Sequence, residues 1–180
     1  RGIRLGGDDE VVSMAIIRHF EATPDERAAY LKMRRAVAGA LEEEVEDDED
    51  DEMGEGSFEL GQARYVEMSE AEDLILTITE RGAGKLSSSH DYPVRGRGGQ
   101  GVAAMDKAMR GGPLAALFPV EIDAQVMLAT DAGQSIRVPV DGISFRSRSA
   151  GGVRVFNTGE GETVVSVARI AENGEDEAEA

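Results

Sequence analysis

An all-β array of repeated units is the fold class that this 180-residue sequence predicts, and three observations predict it. First, Thr79, Gly82, Arg95, Arg97, Gly101 and Val102 recur 51 residues later as Thr130, Gly133, Arg146, Arg148, Gly152 and Val153. Six identities in the 24 positions from 79 to 102 exceed the roughly one or two expected from average composition. Second, apolar positions keep the same spacing: Ile75 with Val126, Leu76 with Met127, Tyr92 with Ile143, Val94 with Phe145. After one deletion the spacing becomes 50, and Leu114, Leu117 and Val120 pair with Val164, Val167 and Ile170. Third, the repeated segments are short β-branched runs ended by glycine turns. A period of this size marks a stack of similar supersecondary units.

In chain order, residues 1–17 read as the end of a truncated unit. Residues 1–5 align with 151–155, and Val11–Met14 with Val164–Val167, so the chain is expected to begin inside a repeat as a fragment of a longer protein. It has neither a starting Met nor a signal-peptide pattern. Residues 18–72 match no repeat and read as an insertion. Thr23, Pro24 and Glu26 are a helix start, with Thr as N-cap, Pro at N1 and Glu at N3. Tyr30, Val37 and Leu41 form a modest apolar stripe, which predicts a helix from about 24 to 43. It is expected to dissolve into an acidic, disordered run at 42–52.

Residues 73–123 and 124–171 read as two full units. Leu74–Thr79 is a strand ending at Glu80-Arg81-Gly82, and Gln125–Thr130 repeats it before Asp131-Ala132-Gly133. Ser135–Val140 alternates like a half-buried strand, with Pro139 marking its edge or end. Val164–Ile170 is a further strand, matching Leu114–Val120 and Val11–Ile17. Several short strands per unit suit four-stranded, propeller-like blades. Residues 172–180 form an acidic tail.

The net charge of −17 is concentrated. Residues 42–52 hold ten acids and 172–180 hold five, with no base in either. Outside these runs 21 acids face 19 bases, and the repeats from 73 to 170 hold 11 bases against 10 acids. A low isoelectric point therefore does not exclude a nucleic-acid partner, because like-charge blocks are commonly solvating or interaction tails. With no Cys, disulfide frameworks, zinc–thiolate sites and a cysteine nucleophile are excluded. No apolar run is long enough to form a membrane-spanning helix.

Arg95-Gly96-Arg97-Gly98-Gly99-Gln100-Gly101 is the sharpest motif. Gly96, Gly98, Gly99 and Gly101 permit close backbone approach to a phosphate, and two guanidiniums can grip it bidentately. Residues 146–152 are a degraded copy, with Arg146 and Arg148 in the arginine positions. Solvated turn arginines explain one such turn equally well. Recurrence at one position per unit favours function, because each unit would present its pair at one rim.

The start at Arg1–Leu5, the segments TERGAGKLSSSHDYPVRGRGGQGV (79–102) and TDAGQSIRVPVDGIS (130–144), and the ending VVSVARI (164–170) closely resemble the C-terminal domain of the DNA gyrase A subunit. The resemblance covers 1–17 and 73–171. It implies a partial β-pinwheel, the last three blades of about six, which wraps duplex DNA around its rim without reading sequence. The insertion is similar to that of alphaproteobacterial members. The family's gyrase box, a Gln-Arg-Arg-Gly-Gly-Lys-Gly heptapeptide, is absent. Arg95–Gly101 is a degenerate counterpart, with Gly96 and Gln100 where the box has Arg and Lys.

The resemblance further implies a place in an A2B2 holoenzyme with the N-terminal domain of the gyrase A chain and with the gyrase B subunit. That type IIA topoisomerase uses ATP and Mg²⁺ to introduce negative supercoils in the cytoplasm, at the nucleoid. Expected DNA contacts are Arg95, Arg97, Arg146 and Arg148, then Arg4, Arg154, Lys85 and Arg137. The corresponding chain of topoisomerase IV, with its related propeller, and a protein-interaction propeller are the alternatives.

No catalytic residue, cofactor or metal site is expected in the chain itself. Arg64-Tyr65 follows the order of the family's cleavage tyrosine, but nothing around it resembles that site, and Tyr65 is expected to pack. His19 and His90 lack supporting ligands and read as surface or turn residues. The run 42–52 lacks the glycine turn and ligand spacing of a calcium loop.

Overall fold

The computed structural model describes residues 2–39, 58–106 and 112–170. Two antiparallel sheets carry the repeat. The first unit supplies β1 (Leu74–Thr79), β2 (Ala83–Ser88) and β3 (Leu114–Val120), and the second supplies β4 (Gln125–Thr130), β5 (Ser135–Pro139), β6 (Val153–Arg154) and β7 (Val164–Ile170). A short 3-10 turn follows β2 at Ser89–Asp91 and recurs after β5 at Val140–Gly142. Strands β4, β5 and β7 thus reproduce β1, β2 and β3 at the spacing of the sequence repeat. The shift in spacing falls between the second and last strands, where β6 lies and the first unit has no strand among the described residues.

The first sheet has the order β3-β1-β2-β6 and the second β5-β4-β7. The fourth strand of the first sheet is therefore donated by the second unit: Ala83 pairs with Arg154, and Gly84 with Val153. Leu86 and Phe145 form one further bridge across the same seam. The second sheet has three strands rather than the four expected, because no crossing strand lies beside β5 among the described residues. Pro139 ends that edge strand, where its missing N–H costs no ladder bond.

The sheets stack back to front. Leu76, Ile78 and Leu86 of the first sheet share one core with Val126, Leu128, Val140 and Val164 of the second. Val126 and Leu128 occupy the repeat positions of Ile75 and Thr77, so each unit offers opposite faces to the molecule. That is why Met127, the counterpart of the fully buried Leu76, is 41% exposed. The other face of β1 and β2 is polar yet buried, with Thr77, Thr79, Lys85 and Ser87 shielded from solvent. Tyr92 covers part of it, its hydroxyl 3.1 Å from Ser87 Oγ.

The described part of the insertion holds one helix more than its sequence predicts. Helix α1 runs from Pro24 to Val37 behind a full capping box, in which Thr23 Oγ1 accepts from Glu26 N–H and Glu26 accepts from Thr23 N–H. It stops earlier than expected because Ala38 caps it and Gly39 turns with φ +73°. Residues 40–43 and the acidic run 42–52 lie outside the described residues, as does the tail 172–180. A second helix, α2 (Gln62–Glu70), was not anticipated. Tyr30, Leu60 and Met68 form a small core of their own, against which Phe20 and Tyr65 pack. Residues 11–17 form no strand, contrary to expectation. β7 pairs with β4 of its own unit, whereas residues 11–17 reach β3 through a bond from the Ser13 hydroxyl to the Leu117 carbonyl (2.9 Å).

Candidate nucleic-acid interface

The glycine–arginine turn leaves the first unit directly after its 3-10 turn and carries Arg95 and Arg97, both exposed. Gly98 and Gly101 both adopt φ +80°, a region that L side chains disfavour, so glycine is required at these two positions. At Gly96 and Gly98 no neighbouring atom lies within 4 Å of where a Cβ would sit, which leaves open space above the backbone. The turn is zipped to the start of the chain: Gly98 N–H donates to the Gly2 carbonyl and Arg4 N–H to the Gly99 carbonyl, both at 2.8 Å. The Gly98 amide is therefore already committed. The same zipper brings the backbone of the exposed Arg4 against the loop that carries the exposed Arg95 and Arg97. Such an arrangement can grip phosphates without reading bases.

The second turn is built differently. Its chain crosses the edge of β2, where Arg146 N–H donates to the Leu86 carbonyl (2.8 Å). Arg146 is half-buried. Arg148 is only 3% exposed. Its Nε donates to the Asp91 carbonyl (2.9 Å), its backbone N–H to Asp91 Oδ2 (2.7 Å), and a terminal nitrogen to the Ala103 carbonyl. Arg148 is thus a strut between the two turns and not a surface cation. Lys85, expected as a surface contact, is likewise enclosed. It lies on the polar face of β2, wholly buried, with its ammonium enclosed by carbonyls of the second turn. Burial pushes that amine down from 10.5 to about 7.

Arg137 on β5 and Arg154 on β6 are exposed. Arg137 stands opposite Met127 on the outer face of the second sheet, and Arg154 lies on the inter-unit seam. The structure therefore places Arg4 against the loop of Arg95 and Arg97, keeps Arg137 and Arg154 exposed on other elements, and buries Lys85 and Arg148.

Two anchors escaped the sequence. His90 is buried in the 3-10 turn, not on the surface, with its ring edge-on to Phe20 and Tyr30. Arg34 of α1 lies over the Phe145 ring at 4.4 Å while its Nε donates to Glu72 (3.0 Å). The one available signal was the aromatic content of the insertion, Phe20, Tyr30 and Tyr65, in a chain poor in aromatics. Among the described residues no group of three His, Asp or Glu could hold a metal. No helix among them is long and apolar enough to cross a membrane.

Residues 1–18, 73–120 and 124–171 match the family described as DNA gyrase C-terminal domain, beta-propeller. The chain is 44% identical to the gyrase A protein of Granulibacter bethesdensis over 98% of its own length and 20% of that protein. It is 36% identical to the gyrase A protein of Rickettsia bellii over 99% of its length and 19% of that protein. It thus spans about a fifth of the curated relatives it matches. A solved structure of a DNA gyrase A C-terminal domain shares its fold, with a TM-score of 0.52 and 21% identity over 56% of this chain and 34% of that one. The family match falls on the two strand units and the preceding segment, and skips the helical insertion. By these matches and by its back-to-front sheets, the chain belongs to the DNA gyrase C-terminal, β-propeller domain family.

Proposed function

We propose that this chain binds duplex DNA along its arginine-bearing turns, without sequence preference, and helps to wrap it. The observation that carries the reading is the exposed pair Arg95 and Arg97 on one glycine-rich loop of a gyrase-type blade, with the exposed Arg4 hydrogen-bonded to that loop through its backbone. Bending a duplex with a persistence length of about 150 bp costs several kcal/mol over a short site. Spaced guanidinium–phosphate contacts offset that cost, and releasing counterions makes the contacts salt-dependent. Arg137, Arg146 and Arg154 extend the contact surface. Buried Lys85 and Arg148 hold its shape.

In the whole protein this domain would serve an A2B2 gyrase at the cytoplasmic nucleoid, with the B subunit supplying the ATPase and the N-terminal domain of the A chain the cleavage tyrosine. Wrapping then presents a segment of the same DNA for passage in one sense, which yields negative supercoils. This chain contributes binding and geometry, and no catalytic group is assigned to it. The test is fluorescence anisotropy of a random-sequence duplex between about 50 and 300 mM salt. A linear fall of log affinity with log salt, with slope near −0.9 per phosphate contact, supports the reading. Absence of binding at the lowest salt by the folded chain overturns it in favour of a protein-interaction role.

A further inference from the structure

Along the seam between the units, the second unit's chain leaves its partner strand and loops around one side chain. Leu86 N–H donates to the Ser144 carbonyl (2.9 Å), and Arg146 N–H to the Leu86 carbonyl (2.8 Å). Pairing resumes where Val153 meets Gly84 and Arg154 meets Ala83. The Leu86–Phe145 bridge is parallel and the Gly84–Val153 pairing antiparallel, so residues 147–152 bulge out as a loop that reverses the chain, beside Lys85. Lys85 Nζ fills the bulge, donating to the carbonyls of Ser147 (2.8 Å), Arg148 (2.5 Å) and Ala150 (2.5 Å). An ammonium has three donors and no acceptor, which matches three carbonyls. A neutral amine has two N–H groups and would set its lone pair against the third. The equivalent position on β5 is Ile136, and there no chain crosses the strand among the described residues.

We propose that the Lys85 ammonium is a positioning residue that templates the 147–150 bulge of the second unit, and through it seats Arg148 against Asp91 and sets Arg146 at the seam. The bulge carries the second arginine turn, so the consequence for duplex binding rests on the function proposed above.

The groups facing the amine come from every element around it. Burial is the largest influence and lowers its pKa to about 7; Asp91, in the 3-10 turn after β2, raises it. Arg148 and Arg146, on the bulge itself, lower it, and Asp106, in the loop before β3, raises it. The template is therefore poised to lose a proton near neutrality.

The experiment is nuclear magnetic resonance of the 180-residue chain, following the Lys85 side chain and the amides of Ser147, Arg148 and Ala150 from about pH 5.5 to 9. The expected result is one midpoint near 7 shared by Lys85 and all three amides. Above it, the Arg148 amide, which donates to Asp91, exchanges with solvent about tenfold faster. Lys85→Met should show the fast-exchange pattern at every pH and weaker duplex binding at low pH. Bulge amides that ignore the Lys85 titration in the native chain overturn the proposal, even if the variant fails to fold. So does a folded Lys85→Met chain whose bulge amides match the native ones at low pH. If the amides track Lys85 while no form binds duplex, the template stands and the DNA reading fails.

Discussion

His90 Nε2 lies 2.8 Å from the main-chain carbonyl of Met68, and this hydrogen bond ties the helical insertion to the first unit. The imidazole is buried, so the bond is shielded from competing water. Phe20 and Tyr30 meet the ring edge-on at 5.5 and 5.0 Å between centroids. One side chain of the repeat thereby serves as the socket for a segment the repeat does not include.

Replacing His90 by Ala leaves the Met68 carbonyl buried without its donor and removes both ring contacts. The expected loss is about 2–4 kcal/mol. Chemical denaturation measures it, and limited proteolysis should show cleavage near α1 and α2 before the sheets are attacked. A variant as stable and protease-resistant as the native chain would refute the socket.

Arg95→Glu with Arg97→Glu should weaken duplex binding equally on unrelated sequences. Each lost phosphate contact flattens the salt slope by about 0.9, so the pair should flatten it by about 2. Both residues are exposed, so the melting temperature should stay within a few degrees of native. Arg148→Gln should do the reverse, lowering stability first, because its guanidinium joins Asp91 to Ala103 within the protein.

Gly82 and Gly133 hold equivalent turn positions, with φ +78° and +83°. A Cβ on Gly82 would meet the Phe156 carbonyl oxygen at 2.3 Å, whereas none of the surroundings comes within 4 Å at Gly133. Gly133→Ala should therefore cost only the left-handed strain of about 1 kcal/mol. Gly82→Ala should cost at least about 2 kcal/mol more, because the backbone of the second unit must move. Equal losses in denaturant titrations would argue against the crossing of the two units at that point.

The capping box gives α1 an acid-sensitive start. Backbone hydrogen bonding from Thr23, then Arg64, holds the Glu26 carboxyl below its ordinary 4.5. Its folded pKa is thus depressed, so its contribution is fully present above pH 4.5 and is lost as pH falls through the lower folded value. Far-ultraviolet circular dichroism on acidification should show helix loss in that window. Glu26→Gln should start with less helix and flatten the transition.

The repeat made the strands legible, because period, β-branched runs and glycine turns all act locally. Thr23, Pro24 and Glu26 announced α1 for the same reason, and Pro139 marked the end of an edge strand. Burial at the turns was not legible. Arg97 and Arg148 are equivalent in sequence, yet one is exposed and the other is a strut. The difference arises because one turn lies against residues 2–4 and the other crosses β2, and a residue's counterpart in the repeat carries no record of which chain passes over it. Lys85 misled for the same reason, since its enclosure is made by residues 147–150. Helix α2 went unseen because its start at Gly61 has no side-chain cap.

The donated strand β6 also sets an order in time. During synthesis the first unit can form β1, β2 and β3, but β2 keeps an unpaired edge until residues 144–154 emerge. The buried ammonium of Lys85 has no carbonyls to meet before residues 147–150 arrive. A ribosome stalled between the units would therefore hold a sheet with an open edge, ready to pair with a neighbouring chain. In the two-unit chain the same exposure passes to β5, beside which no strand lies among the described residues.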